Sequence, residues 1–285
     1  MKKWAISAIV YLLVLIGGYS IYTNYIQPKN MDHNAGTGQK QNGHSIHGGV
    51  EETEKNDLTK LDFKFTETPQ SGKKVTLTIN VKDEEGKPVK DFELEHEKLM
   101  HLIVISKDLS FFDHIHPEYK GDGKFEIVPN FPSGGEYKLY ADFVPKGESK
   151  IVKSSIVKVE GQEDQPTNLV ADQKLTKVID GKEITLTFDH LMTNMELPMT
   201  FKIKDAKTKK PITNLQPYLG AIGHVVAISG DTENYLHVHP MDENTTGPDA
   251  KFMTSFPKKG LYKIWGQFQH DGKVFIVPFT VNVPE

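Results

Sequence analysis

The feature that most constrains this chain is an internal repeat of short, strand-like segments. The segment HLIVIS at residues 101–106 matches the segment HVVAIS at residues 224–229. A His-x-His-Pro motif follows each of them at the same spacing, at residues 114–117 and 237–240. Self-similarity at a fixed offset is the signature of a tandem duplication. We therefore expect two copies of one domain.

Each copy has the pattern of an all-β domain. Apolar and polar residues alternate in segments rich in β-branched and aromatic residues, and Gly, Pro and Asp-Gly separate these segments. In the first copy the segments are LDFKF, KVTLTINV, HLIVIS, KFEIVP, YKLYADF and SSIVKV. Short strands at this spacing, over about a hundred residues, predict an immunoglobulin-like β-sandwich. The expected fold class is all-β, with two tandem immunoglobulin-like β-sandwich domains after an N-terminal transmembrane helix.

The predicted domain limits follow from composition. The first sandwich is expected at residues 58–160 and the second at residues 167–285. A short polar segment, GQEDQP at residues 161–166, forms the expected linker. A Gly-x-Tyr-Lys motif at residues 135–138 and 260–263 predicts a tyrosine that caps a corner of each sandwich. A carbohydrate-stacking platform is the alternative for this motif.

The N-terminus is predicted to be a membrane anchor. Lys2 and Lys3 precede a charge-free run at residues 4–28, whose apolar part has about the 20 residues needed to cross a bilayer. The positive-inside tendency places its N-terminal end in the cytoplasm and the rest of the chain outside. A cleavable signal peptide, which would make the protein secreted, is the alternative, because the small residues Gly17, Gly18 and Ser20 follow the apolar stretch. We interpret residues 1–30 as a signal anchor.

A polar segment at residues 31–57 is predicted to be a flexible tether, because it holds too few apolar residues to offset its ordering entropy. His33, His44 and His47 lie in it, together with Met31. These side chains form an open series of donors that could hold a metal ion transiently. A solvated polar linker is the alternative.

Composition excludes several classes of function. The net charge is only −4, and all 34 basic residues are lysines, so the bidentate guanidinium that reads guanine is missing. We expect no nucleic-acid partner. The absence of cysteine excludes disulfides, thiolate metal sites and a cysteine nucleophile. No recognisable pairing of nucleophile and base, and no phosphate-binding glycine loop, occurs. We therefore expect a protein that is not an enzyme.

The histidine spacing predicts a specific geometry. If residues 107–110 form a four-residue hairpin loop, His101 lies opposite His116 and Ile103 lies opposite His114. Directly paired residues point to the same face of a sheet, so the three imidazoles would converge at the open end of the hairpin. A register slip of one residue would send His101 to the other face.

The same register in the second copy, with residues 230–233 as the loop, brings His224, His237 and His239 together. Three neutral imidazoles on neighbouring strands suit copper, zinc or nickel and leave a position open for another ligand. A structural corner, in which the histidines bond only to backbone carbonyls, is the alternative.

Methionines favour copper over zinc. Met100 directly precedes His101, and thioethers prefer Cu(I). The second copy contains five further methionines: Met192, Met195, Met199, Met241 and Met253. Methionine also fills gaps in apolar cores, which is the alternative here. We expect copper as the bound metal, with zinc as the alternative, and Met100, His33, His44 and His47 as auxiliary ligands.

Other polar residues receive lesser roles. His96, His190 and His270 have no counterpart in the other copy and are interpreted as surface residues or as supports behind the ligands. Asp113 could orient an imidazole, but Leu236 replaces it in the second copy.

The phrase MHLIVISKDLS at residues 100–110, with the motif HIHP at residues 114–117, resembles bacterial secreted or membrane-anchored domains associated with heavy-metal handling. Each copy is similar to the YtkA/FixH-like and CopC-like immunoglobulin-type β-sandwiches of extracytoplasmic copper proteins. The second copy departs from the family phrase at Gly223, Thr232 and Leu236. The resemblance implies metal binding or trafficking and brings no catalytic residues.

Together these features predict an extracytoplasmic copper-binding protein on the plasma membrane. Its role would be to capture copper, to traffic copper or to provide resistance to copper. Another envelope copper protein is its possible partner, and assembly of an oxidase copper centre is one form of that role. The alternative is a cell-envelope interaction module that binds a protein or polymer and carries structural histidines.

Overall fold

Strands make up all the regular structure of residues 58–285, which are the residues that the computed structural model describes. They form one β-sandwich for each repeat, which confirms the predicted all-β fold with two tandem domains. In this range no helix is long and apolar enough to cross a membrane. The predicted anchor at residues 1–30 and the predicted tether at residues 31–57 lie outside the described residues.

The first sandwich contains nine strands. These are β1 (Lys60–Phe65), β2 (Leu77–Lys82), β3 (Phe92–Glu93), β4 (Met100–Ser106), β5 (Phe112–Ile115), β6 (Glu118–Gly121), β7 (Lys124–Ile127), β8 (Gly135–Pro145) and β9 (Ile151–Val159). One sheet has the order β1-β2-β7-β6. In the other, β4 lies between β5 and β8, and β8 also pairs with β9 and β3. All these pairings are antiparallel.

The second sandwich contains eight strands. These are β10 (Thr176–Ile179), β11 (Lys182–Phe188), β12 (Glu196–Asp205), β13 (His224–Ser229), β14 (Tyr235–Pro240), β15 (Asp249–Ser255), β16 (Gly260–His270) and β17 (Lys273–Val283). The strand order is β10-β11-β12-β15-β14-β13-β16-β17. Strands β14 and β15 pair at only two positions, so the layer β14-β13-β16-β17 corresponds to the layer β5-β4-β8-β9 of the first sandwich.

Strand β4 is buried on both faces, unlike an ordinary strand of a solvent-exposed sandwich. Leu102 and Val104 point into the core of the first sandwich. Ile103 and Ile105 point the other way and are equally buried. Because successive side chains of a strand alternate between faces, a second packing partner must cover the outer face. That partner is the second repeat.

The two repeats pack face to face through an apolar cluster that both contribute to. Phe112 stacks on Trp265 with ring centroids 4.6 Å apart, and Tyr140 stacks on Tyr235 at 5.0 Å. Phe112 and Tyr235 occupy matching positions of the two repeats, as do Tyr140 and Trp265, so the contact has approximate two-fold symmetry. The remaining buried members are Ile103, Ile105, Leu109, Val226 and Ile228.

A tyrosine caps a corner in each sandwich, as the Gly-x-Tyr-Lys motif predicts. The hydroxyl of Tyr137 donates to the carbonyl of Ser133 at 3.0 Å. The hydroxyl of Tyr262 donates to the carbonyl of Lys258, also at 3.0 Å. Both rings are almost completely buried, so these are structural residues of the two cores.

Candidate metal centre

The predicted hairpin register is confirmed in both repeats. Ile103 pairs with His114 between β4 and β5, and Val226 pairs with His237 between β13 and β14. The amide of Ser106 bonds to the carbonyl of Phe111, which closes the four-residue loop at residues 107–110. The histidines therefore share the face on which the sequence places them.

That face is the contact between the repeats. His101 has the same side-chain direction on β4 as Ile103, and His224 the same direction on β13 as Val226. Ile103 and Val226 belong to the apolar cluster between the repeats. The two sets of histidines thus lie side by side in one largely buried layer, and seven imidazoles gather there: His96, His101, His114, His116, His224, His237 and His239.

The first triplet, which we define as His101, His114 and His116, is a group of side chains that could hold a metal ion. One possible ligand atom from each ring lies within 4.8 Å of the others. Nδ1 of His101 and Nε2 of His114 are 2.9 Å apart, and the rings of His114 and His116 are 4.7 Å apart. Nε2 of His116 is buried and has no hydrogen-bond partner. Because copper or zinc bonds each nitrogen at about 2 Å, any two ligand atoms more than about 4 Å apart would have to move closer together.

A hydrogen bond from outside the first triplet sets the tautomer of His101, whereas His114 has two possible tautomers. Nε2 of His101 donates to the carbonyl of Glu95 at 2.9 Å, so its Nδ1 keeps the lone pair. The side-chain amide of Gln267 lies beside Nδ1 of His114, with its oxygen at 3.2 Å and its nitrogen at 3.1 Å. When Nδ1 donates to that oxygen, the lone pair of His114 Nε2 faces the lone pair of His101. The amide can also support the opposite tautomer, in which His114 donates to His101.

The second predicted set is arranged differently. His237 and His239 stack almost parallel at 5.3 Å, and the group that closes within 4.8 Å joins His224 and His237 to His96 of the first repeat. A further group joins His239 to His96 and Glu95. Matching the two copies in sequence does not identify His96 as a member of the cluster, because the second copy has no histidine at the corresponding position.

A tight turn brings His96 to the cluster. Glu95 and Lys98 bond to each other through both backbone amides, at 2.9 and 3.0 Å, and His96 has a positive φ of 47°. The second repeat has the same turn between Tyr218 and Ala221, with Leu219 at a φ of 53°. Leucine therefore occupies in the second repeat the place that histidine occupies in the first.

Each repeat orients a histidine of the other. Nδ1 of His237 donates to Oδ2 of Asp142 on β8 at 2.7 Å, which leaves its Nε2 buried without a hydrogen-bond partner. Asp142 is fully buried and also accepts from the hydroxyl of Tyr235 at 3.2 Å. Asp142 and Gln267 occupy matching positions, opposite His101 and His224 on the neighbouring strands. A support of this kind fixes the tautomer and the direction of a metal-binding imidazole.

Burial keeps the imidazoles neutral. Desolvation lowers the pKa of His116 to about 3 and that of His224 to about 3. Desolvation and then Lys150 lower the pKa of His239 to about 4. Desolvation also holds the pKa values of His114 and His237 well below the usual range for histidine. Neutral rings offer the lone pairs that a metal requires.

The methionines fall into different environments. Met100 is buried in the core of the first sandwich, on the face of β4 opposite to His101, so it does not reach the first triplet. Met199 is a core residue of the second sandwich. Met253 pairs directly with His239 between β14 and β15, so the two side chains share a face. Met241 and Met195 are exposed.

The other polar residues singled out in the sequence lie away from the cluster. His190 is exposed, and His270 bonds to Asn214 at 3.1 Å. Asp113 pairs with Val104, so it faces away from His114 and does not orient it. His33, His44 and His47 lie outside the described residues.

Both repeats match the model of a single family, described as a domain of unknown function (DUF8832), over residues 55–161 and 176–285. The chain belongs to this family. It carries two copies of the family domain, as the internal repeat predicts. The resemblance to YtkA/FixH-like and CopC-like domains gains no support from this match. No curated protein matches the chain.

Several solved structures are similar to the chain. A two-domain fibronectin type-III segment of chicken tenascin is 13% identical over 78% of this chain and 98% of that one, with a TM-score of 0.23. The bacterial integrin-binding protein invasin is 14% identical over 79% of this chain and 39% of that one, with a TM-score of 0.24. Domains 4 and 5 of the S-layer protein SbsC are 14% identical over 79% and 98%, with a TM-score of 0.24.

Proposed function

We propose that this chain is a non-enzymatic metal-binding protein that captures or traffics copper outside the cytoplasm. The observation that carries the proposal is the first triplet, His101, His114 and His116. Its three neutral rings converge in a largely buried layer, where one possible ligand atom of each lies within 4.8 Å of the others. Histidine nitrogens at this spacing are a normal ligand set for copper or zinc.

The unpartnered nitrogen atoms argue against purely structural histidines. In folded proteins about nine in ten buried polar groups find a hydrogen-bond partner. Nε2 of His116 and Nε2 of His237 are both buried and have none, although other nitrogens of the cluster bond to backbone or side-chain oxygens. A metal ion bound by His116 would satisfy the first of these atoms, and the second would need an ion of its own at His237.

Copper is the favoured metal for two reasons. The chain has no cysteine, so a soft ligand can come only from methionine. Met253 shares a face with His239 at the edge of the cluster, and thioethers favour Cu(I) over zinc. We expect the predicted membrane anchor to hold this site outside the cytoplasm. Zinc remains the alternative metal.

Metal titration of the purified full-length chain tests the proposal. We would measure the affinities for Cu(I), Cu(II) and Zn²⁺ by competition with a chromophoric chelator, for the wild type, His116→Ala and His190→Ala. His190 is exposed and lies outside the cluster, so its variant is the matched control. We expect His116→Ala to lose one copper ion per chain and His190→Ala to lose none. Equal binding of all three metals by both variants and the wild type would show that the first triplet holds no metal.

A further inference from the structure

We propose that the two repeats jointly build a second copper site, from His96 of the first repeat and His224 and His237 of the second. We call this group the joint site. The inference rests on the proposed function, because it assigns a second ion to the same histidine layer. It differs from the sequence prediction, in which His239 completes the second set.

The geometry of the rings favours His96 over His239 as the third ligand. The ring of His96 lies 4.6 Å from that of His224 and 5.6 Å from that of His237. Ligand atoms of these three residues lie within 4.8 Å of one another, and His239 is not part of that group. Nδ1 of His239 instead lies 3.3 Å from Nε2 of His96, and His239 belongs to a separate group with His96 and Glu95.

The joint site has two carboxylates and one ammonium as neighbours, and Nζ of Lys150 lies 3.1 Å from Nδ1 of His237. Nε2 of His237 is buried and unpartnered, because Asp142 binds the other nitrogen of the ring. Asp142 and Glu95 both bond to Lys150, at 3.3 and 2.7 Å. Two carboxylates beside one ammonium leave a negative charge in a largely buried place, and a metal ion would compensate it. Oε2 of Glu95 is also buried without a hydrogen-bond partner.

The joint site adjoins the first triplet. The ring of His101 lies 5.5 Å from that of His237 and 6.1 Å from that of His224. The ring of His114 lies 5.9 Å from that of His224. Two Cu(II) ions held by neighbouring rings at these separations would broaden each other's electron paramagnetic resonance signals. The joint site therefore makes the layer a paired copper centre.

The substitution His96→Leu tests the joint site with little risk to folding. The equivalent position of the second repeat already holds a leucine, Leu219, in the same turn and with nearly the same φ. We would compare the copper content and affinity of full-length wild type, His96→Leu, His116→Ala and His190→Leu, and record the Cu(II) resonance of each. Any binding by the N-terminal histidines is common to all four proteins and cancels in the comparison.

We expect His96→Leu to bind one copper ion fewer than the wild type and to lose the broadening, and His190→Leu to change neither. If His96→Leu keeps the copper content and affinity of the wild type while His116→Ala loses an ion, the joint site is refuted and the proposed function stands. A wild type that binds no copper would overturn the proposed function and the joint site together.

Discussion

Asp142 of the first repeat accepts a hydrogen bond from His237 of the second, with Oδ2 and Nδ1 2.7 Å apart. Gln267 holds the matching position in the second repeat and contacts His114 of the first. The support of each histidine thus comes across the contact between the repeats. Ligand orientation in one repeat depends on the presence of the other.

The substitution Asp142→Asn should weaken copper binding at the joint site by about 10-fold, the lower end of the range for a support behind a metal ligand. The amide oxygen can still accept from His237, but the negative charge is lost. Competition titration of the full-length variant measures the effect. Asp113→Asn is the control, because Asp113 faces away from the histidine layer. An unchanged affinity in Asp142→Asn would contradict the assigned role of Asp142.

The metal-free protein should lose stability on acidification. In the unfolded chain a histidine has a pKa of about 6.5, whereas burial lowers the pKa to about 3 in His116 and to about 4 in His239. Between these values the unfolded chain binds protons that the folded chain does not, so the free energy of unfolding falls as the pH falls. The loss should begin near pH 6.5 and continue to about pH 3 to 4.

Thermal unfolding in the presence of a chelator, from about pH 7.5 to about pH 4.5, measures this loss of stability. His239→Gln should show a shallower decline in Tm, because it removes one of the groups that must be protonated. A Tm independent of pH over this range would show that the histidines do not carry the effect.

Removing the stacked tryptophan should destabilise the contact between the repeats. Trp265 is almost completely buried against Phe112, and truncation of a buried aromatic residue to alanine costs about 3–5 kcal/mol. Denaturant unfolding of Trp265→Ala against wild type measures this cost. Val178→Ala is the control, because Val178 is exposed. A loss below about 1 kcal/mol would mean that the stack contributes little to the contact.

Substitutions at the two tyrosine corners should lower the stability of the protein without changing its metal binding. Tyr137→Phe and Tyr262→Phe each remove one hydrogen bond to a backbone carbonyl, and each should cost about 1 kcal/mol of unfolding free energy. Copper affinity should not change, because neither residue contributes to the histidine layer. Reduced copper binding in either variant would show that the tyrosine corner affects the geometry of the histidine layer.

The hairpin geometry was predictable from sequence because it depends on local rules. Loop length fixes the register, and alternation then places His101 and His114 on one face. The tandem sandwiches followed from strand spacing and self-similarity in the same way.

The arrangement of the two histidine sets was not predicted, since it depends on which outer faces meet. One signal was present: HLIVIS and HVVAIS are apolar at both odd and even positions, which is typical of strands covered on both faces. Asp142 was a second signal, because a carboxylate in the middle of an apolar strand usually has a buried partner. No such signal marks the position of His96. The turn that carries His96 has the same backbone shape in both repeats, but its sequence differs, with Leu219 in place of the histidine.

The reciprocal stacks of Phe112 on Trp265 and Tyr235 on Tyr140 have a consequence for any chain that would carry a single domain of this kind. A chain with one such domain would expose this apolar face and would have to meet a second copy of itself to cover it, at a cost that depends on concentration. Joining two domains in one chain makes that meeting intramolecular. It also allows the sequence of each domain to change independently of the other. The two domains differ at matching positions such as Asp142 and Gln267, or His96 and Leu219.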